Sequence, residues 1–235
     1  MSGAILAMGG GGFSEEPDNP LLDRFALSLA RRERPRVCFV ATASGDAEGY
    51  VARFYRAFAE HDCRPSDLGL FDRRVGDLRR FVLEQDVVYV GGGNTASLLS
   101  VWRTHGLDSI LREALDAGAV LCGVSAGMNC WFEASTTDSF GPELAPLHDG
   151  LGFVAGSACP HYDGEAQRRP LYRELVASGF PAGYAADEGA ALRFDAAGAL
   201  VEAVASRPAA RAYRVERGSD GGGANERPLP TRYLG

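Results

Sequence analysis

Three short, uninterrupted apolar runs in this 235-residue chain each end in a glycine-rich segment, and that pairing restricts the fold more than any other feature. Ala4-Ile5-Leu6-Ala7-Met8 runs into Gly9-Gly10-Gly11-Gly12, and Val87-Val88-Tyr89-Val90 into Gly91-Gly92-Gly93-Asn94. Ala119-Val120-Leu121-Cys122 runs into Gly123-Val124-Ser125-Ala126-Gly127. A strand without polar alternation has to be covered on both faces, which implies a parallel sheet between helices. The pattern predicts strands at Ala4–Met8, Val37–Ala41, Asp67–Phe71, Val87–Val90 and Val120–Gly123. Helices are predicted near Pro20–Arg31, Asp46–His61, Val75–Glu84, Thr95–Thr104 and Leu107–Asp116. From about Gly183 the pattern turns to alternation. Ala190–Phe194 and Leu200–Val204, around Asp195-Ala196-Ala197-Gly198, predict a hairpin, and Ala212–Val215 another short strand. The expected class is therefore α/β: a three-layer parallel sheet with helices on both faces and a C-terminal β-hairpin. Residues 1–217 read as one domain, and 218–235, opening with Gly218-Ser219-Asp220-Gly221, as a flexible tail.

Charge and cysteine content narrow the partners. A net charge of -7, with arginines such as Arg73, Arg74, Arg79 and Arg80 interspersed with acids, argues against a nucleic-acid partner, which needs a basic face. The five cysteines are odd in number and lack a C-x-x-C pair, so reduced thiols in a cytoplasmic protein are expected, with no metal or cofactor. Met1 to Phe13 lacks the basic start of a secretory leader, and no segment has the roughly 20 apolar residues that span a bilayer. The expected partners are a small peptide substrate and, at most, a second copy of the chain in a homodimer; no membrane is expected.

In parallel sheets ligands bind beyond the carboxyl ends of the strands, where all three glycine segments fall. G-x-S-x-G there puts Ser125 at a sharp strand-to-helix corner, exposing its hydroxyl and leaving the next amide free to face an oxyanion. The same spacing also serves as a plain packing turn. Gly91-Gly92-Gly93-Asn94 lacks the G-K-[ST] of a P-loop, so it reads as amides offered to an oxyanion beside Ser125. Glu15, Glu16 and Asp18 follow the first cluster and would repel a pyrophosphate, so Gly9–Gly12 reads as a tight turn or substrate-access loop. Of the four histidines, His61, His105 and His148 fall in surface positions. His161 emerges from the small-residue stretch Val154–Cys159 and is the expected general base. An orienting carboxylate would come from Glu133, eight residues along a helix starting at Ser125, or from Asp138 in the following loop, with Asp138 preferred. Glu188 in Asp187-Glu188-Gly189 is the remaining acid, read as binding a substrate amine in preference to completing the triad.

These motifs together resemble the serine peptidases of family S51, which includes peptidase E (aspartyl dipeptidase) and cyanophycinase. The resemblance is carried by Val90–Thr95, Gly123–Gly127, Thr136-Thr137-Asp138-Ser139, Pro160-His161-Tyr162-Asp163 and Asp187-Glu188-Gly189, in that order. It implies a fold similar to class I glutamine amidotransferases, Ser125 as nucleophile and His161 as base. It further implies an oxyanion hole from the amides of Gly92 and Ala126, and hydrolysis of short peptides with an N-terminal aspartate. An aspartyl pocket would need a cation, for which Arg168 and Arg169 are the nearest suppliers. Two other readings stand beside it: an esterase of α/β-hydrolase type, and a non-catalytic binding protein on the same scaffold.

Overall fold

The computed structural model describes residues 3–218 and 222–235. Its first strands are β1 (Ala4–Met8), β2 (Arg36–Val40), β3 (Arg64–Asp67), β4 (Val87–Val90), β5 (Val120–Val124), β6 (Phe132–Thr137) and β7 (Ala145–Leu147). They are followed by β8 (Val154–Cys159), β9 (Gly183–Ala186), β10 (Ala190–Asp195), β11 (Leu200–Ala205), β12 (Ala212–Arg217), β13 (Ala224–Pro228) and β14 (Thr231–Tyr233). The helices are α1 (Gly12–Glu15), α2 (Leu21–Ser28), α3 (Glu48–Phe58), α4 (Leu78–Leu83), α5 (Thr95–His105), α6 (Leu107–Ala117), α7 (Ala126–Asn129) and α8 (Arg168–Ala177). No helix among the described residues is long and apolar enough to cross a membrane.

Eight strands form the main sheet in the order β14-β11-β10-β1-β5-β4-β2-β3, parallel from β1 through β3, with β10 antiparallel to both β1 and β11. Alternate side chains of the central strands enter different cores, as the two-residue period of a strand requires. Ile5, Ala7, Val88, Val90 and Leu121 pack with α5 and α6, whereas Leu6, Met8, Val87, Tyr89 and Cys122 pack with Phe13 and with α2 and α3. This double coverage is why the runs carry no polar alternation. Asn94 starts α5 by accepting the Ser97 N–H at 2.8 Å, and Gly106 ends it at φ 68, a conformation glycine adopts without a steric penalty.

Three expectations are corrected. The strand expected at Asp67–Phe71 is β3, Arg64–Asp67, an edge strand with partly exposed side chains; the apolar Leu68 and Leu70 follow it into the core. A second sheet, β13-β12-β9-β8-β6-β7, was not anticipated, because its short strands are rich in alanine, serine and threonine. It covers one face of the main sheet through Phe132, Val154 and Ala158, and carries α8 on a separate apolar cluster with Tyr172 and Val176. The segment expected as a flexible tail supplies β13 and β14, each paired into a sheet, since its polar side chains alternate on half-covered edges. Residues 1–2 of the leader expectation and 219–221 of the tail expectation lie outside the described residues.

One buried acid in the second core makes the stability pH-dependent. Asp23 lies beneath the Gly9–Gly12 loop, accepts a hydrogen bond from the Tyr89 hydroxyl at 2.9 Å, and is 2 % exposed. Burial pushes its carboxyl from 3.8 up to about 7, opposed by the bonds from Tyr89 and the Phe13 backbone. The unfolded chain releases this proton near the lower value and the folded chain near the upper. The folded form is therefore favoured most at about pH 4 and below, and loses stability as pH rises to about 7. Asp23→Asn is expected to flatten that decline in urea titrations run across the interval; an unchanged slope would show that Asp23 ionises in both states alike.

Candidate active site

Ser125 stands where the elbow was expected, between β5 and α7, at φ 59 and ψ -111. A non-glycine residue holds such a conformation only when its surroundings over-determine it. The flanking glycines allow this by close packing: a Cβ at Gly123 would lie 2.3 Å from the Gly127 carbonyl oxygen, and one at Gly127 would lie 2.5 Å from that of Val90. The Ser125 N–H donates to the Met8 carbonyl at 3.1 Å, and the Ser125 carbonyl accepts from Met128 and Asn129. Helix α7 is a single turn. The chain then returns to strand, so Glu133 lies on β6 rather than up a helix from the serine.

His161 also has a positive φ, 51°, and its N–H donates to the Gly9 carbonyl at 2.9 Å. Ser125 and His161 thus hang from consecutive carbonyls, Met8 and Gly9, at the end of β1. No hydrogen bond joins the Ser125 hydroxyl to the imidazole among the described residues; such contacts commonly tighten only when substrate binds. His161 is buried, its side chain 11 % exposed, and its Nδ1 lies 3.5 Å from Glu188 Oε1. Glu188 is therefore the carboxylate that faces the histidine. Glu133 is exposed and accepts the Gly156 N–H at 2.8 Å, and Asp138 is exposed in the loop after β6. Neither of the two acids expected to orient His161 makes an ion pair with it.

Topology explains the exchange. β10 runs antiparallel to β1, with Ala191 opposite Met8, so it begins at the edge where the parallel strands end. The segment before it, Asp187-Glu188-Gly189, is delivered to the site, as is Ser206-Arg207 after β11, where Ala205 pairs with Ala190. Arg207 was not singled out from the sequence. Its Nη1 lies 3.7 Å from Glu188 Oε2, and its Nε pairs with Glu16, which also accepts the Ser206 hydroxyl at 2.7 Å. The Glu188 N–H donates to Asp163 Oδ1 at 2.8 Å. Beside it, burial pushes the Asp187 carboxyl up to about 6, opposed by the Arg211 N–H. Glu15, His161 and Glu188 hold donor atoms within 4.8 Å of one another, a spacing at which a metal ion could be held.

Of the two amides expected to face an oxyanion, that of Gly92 has a partner already. Gly92 does stand against the serine: a Cβ on it would lie 3.3 Å from Ser125 Cβ and 3.7 Å from Oγ. Its N–H, however, donates to the Tyr50 hydroxyl at 3.2 Å, and that hydroxyl lies 2.5 Å from Ser14 Oγ. The N–H groups of Gly93 and Ala126 have no partner among the described residues, and Ala126 directly follows the serine at the start of α7. Both arginines expected to bind an acidic side chain face glutamates instead. Arg168 is buried, with Nε and Nη2 on Glu165 at 2.8 and 3.1 Å; Arg169 pairs with Glu226 of β13 and lies over the rings of Tyr162 and Tyr213.

A strained serine at a strand-to-helix elbow, the unengaged Ala126 amide after it and a carboxylate-backed histidine make an arrangement suited to acyl transfer. Comparison with known proteins places the chain among peptidases. The model of peptidase family S51 matches residues 5–201. An uncharacterized peptidase of Bacillus subtilis (strain 168), YgaJ, is 54% identical over 232 residues, covering 98% of this chain and 99% of its own. Peptidase E of Streptomyces coelicolor is 35% identical over 131 residues, or 54% of this chain and 51% of its own. The crystal structure of a peptidase from an acI-B1 Actinobacterium superposes with a TM-score of 0.72 at 16% identity, covering 98% of this chain and 96% of that one, a likeness of fold. With its elbow, its histidine and its glycine loops all inside the matched span, the chain belongs to peptidase family S51.

Proposed function

We propose that the chain is a serine peptidase that hydrolyses short peptides through an acyl-enzyme on Ser125, with His161 as general base and Glu188 as the carboxylate that orients it. The observation that carries this reading is the pair of backbone anchors on Met8 and Gly9, which bring a strained serine and a carboxylate-backed histidine to the end of one strand. In the first half-reaction Ser125 Oγ attacks the scissile carbonyl carbon and passes its proton to His161 Nε2. The N–H groups of Gly93 and Ala126 stabilise the oxyanion, and Glu188 balances the imidazolium. The imidazolium then protonates the leaving amine, and in the second half-reaction water repeats the sequence on the ester.

The chain order serine, histidine, acid differs from the serine, acid, histidine order of α/β-hydrolases, which favours a peptidase of this family over the esterase reading. Preference for an N-terminal aspartate rests on the family resemblance alone, and the engagement of Arg168 and Arg169 by glutamates weighs against it. The five buried, unpaired cysteines support a cytoplasmic location.

An active-site-directed fluorophosphonate tests the assignment. Intact-mass and peptide mapping are expected to locate a single phosphonyl adduct on Ser125, formed far more slowly in His161→Ala. A protein that stays unlabelled, or is labelled at another serine, would exclude Ser125 as the nucleophile.

A further inference from the structure

The Glu188 side chain stands between two stretches of glycine backbone. A Cβ at Gly164 would lie 2.8 Å from its Cδ, and one at Gly10 would lie 3.1 Å from its Cγ. Glycine on both sides offers no side chain to hold the carboxylate, and the terminal torsion of a glutamate is intrinsically broad. What fixes the plane is therefore the partner of each oxygen. Oε1 faces His161 Nδ1 at 3.5 Å, and Oε2 faces Arg207 Nη1 at 3.7 Å. Arg207 is itself held along its length. Its stem lies over Gly189, where a Cβ would meet Cγ at 3.0 Å and Cδ at 3.2 Å, and its Nε pairs with the buried Glu16. Glu16 in turn accepts the Ser206 hydroxyl at 2.7 Å, and the Asn19 amide donates to the Ser206 carbonyl at 3.1 Å.

We infer that Arg207 is a positioning residue, which holds the outer oxygen of Glu188 and so turns the other oxygen to His161. The inference rests on the reading of Glu188 as the carboxylate that orients the base, and Arg207 acts on the histidine through that glutamate. Two physical effects combine. Glu15 brings a second carboxylate within 4.8 Å of the Glu188 and His161 donor atoms, and its repulsion drives Glu188 away from the imidazole. A guanidinium on the far oxygen offsets that repulsion. The planar fork also lets one side chain engage two carboxylates at once, Glu16 through Nε and Glu188 through Nη1, which the single ammonium of a lysine does poorly. The place of Glu188 beside the histidine is thereby tied to the segment between β1 and α2 that carries Glu16.

The rate at which a fluorophosphonate modifies Ser125 reads activation of the hydroxyl and needs no particular peptide. Arg207→Gln is expected to slow it by about tenfold to a hundredfold. Arg207→Lys, which keeps the charge without the fork, is expected to fall between that variant and wild type. In a Glu188→Gln background Arg207→Gln is expected to add less than about twofold, because residues acting as a unit lose most of their effect with the first substitution. Glu16→Gln combined with Arg207→Gln repeats the measurement without leaving a buried carboxylate unpaired, so that a fall in rate is not a failure to fold. Full-rate labelling of Arg207→Gln beside a slow Glu188→Gln, or losses that multiply in the double variant, would overturn the inference and leave the peptidase reading standing. Full-rate labelling of Glu188→Gln would instead remove the carboxylate from that reading. A crystal structure of the Glu16→Gln/Arg207→Gln protein tests the geometry even where no protein is labelled. Glu188 is expected to turn away from His161, and a carboxylate still at 3.5 Å from Nδ1 overturns the inference.

Discussion

Ser125→Ala is expected to lower kcat for peptide hydrolysis by at least about ten-thousandfold and to leave the thermal midpoint within a few degrees of wild type. The two halves of this expectation have separate causes. In the proposed mechanism the hydroxyl is the attacking atom, so its removal leaves only the contributions of the oxyanion donors and substrate binding. It makes no hydrogen bond among the described residues, so its loss orphans no partner, and alanine inherits the same backbone strain. Steady-state kinetics alongside a melting curve decides the matter. A variant retaining more than about a hundredth of the wild-type rate would remove Ser125 from the mechanism.

Glu188→Gln carries the second large effect. An amide in place of the carboxylate keeps the side-chain volume but cannot stabilise the imidazolium, and the corresponding change in a serine protease triad costs about ten-thousandfold in turnover. Glu133→Gln and Asp138→Asn are expected to stay within about fivefold of wild type, because neither acid pairs with His161. Glutamine can still accept the Gly156 N–H that Glu133 now binds. Measured side by side, the three variants rank the carboxylates. A large loss in Asp138→Asn with near-normal Glu188→Gln would reverse the present assignment.

These contrasts mark where local sequence stops being informative. The elbow could be read in advance because Gly123 and Gly127 report a steric demand that no other residue meets, and His161 because it closes a small-residue strand. The main sheet was legible from its uninterrupted apolar runs. Glu188 was assigned to the substrate because the direction of β10 is a property of pairing with β1, and nothing within Asp187-Glu188-Gly189 records it. Glu133 was placed on a helix although Phe132-Glu133-Ala134-Ser135-Thr136-Thr137 has strand alternation and β-branched residues; extending the elbow's helix past its first turn masked them. Arg207 and the Tyr50–Gly92 contact join residues far apart in the chain, and neither spacing nor composition carries that information.

The antiparallel entry of β10 also sets an order in time. Synthesis delivers Ser125 and His161 well before Glu188, and β1 keeps one edge open until residues 190–195 arrive to pair with it. A chain still on the ribosome at that stage holds Ser125 and His161 without Glu188, on a sheet whose central strand has one neighbour in place of two. With Glu188 in the proposed role, full hydrolytic competence waits until β10 has paired with β1 and the fold has closed around that strand.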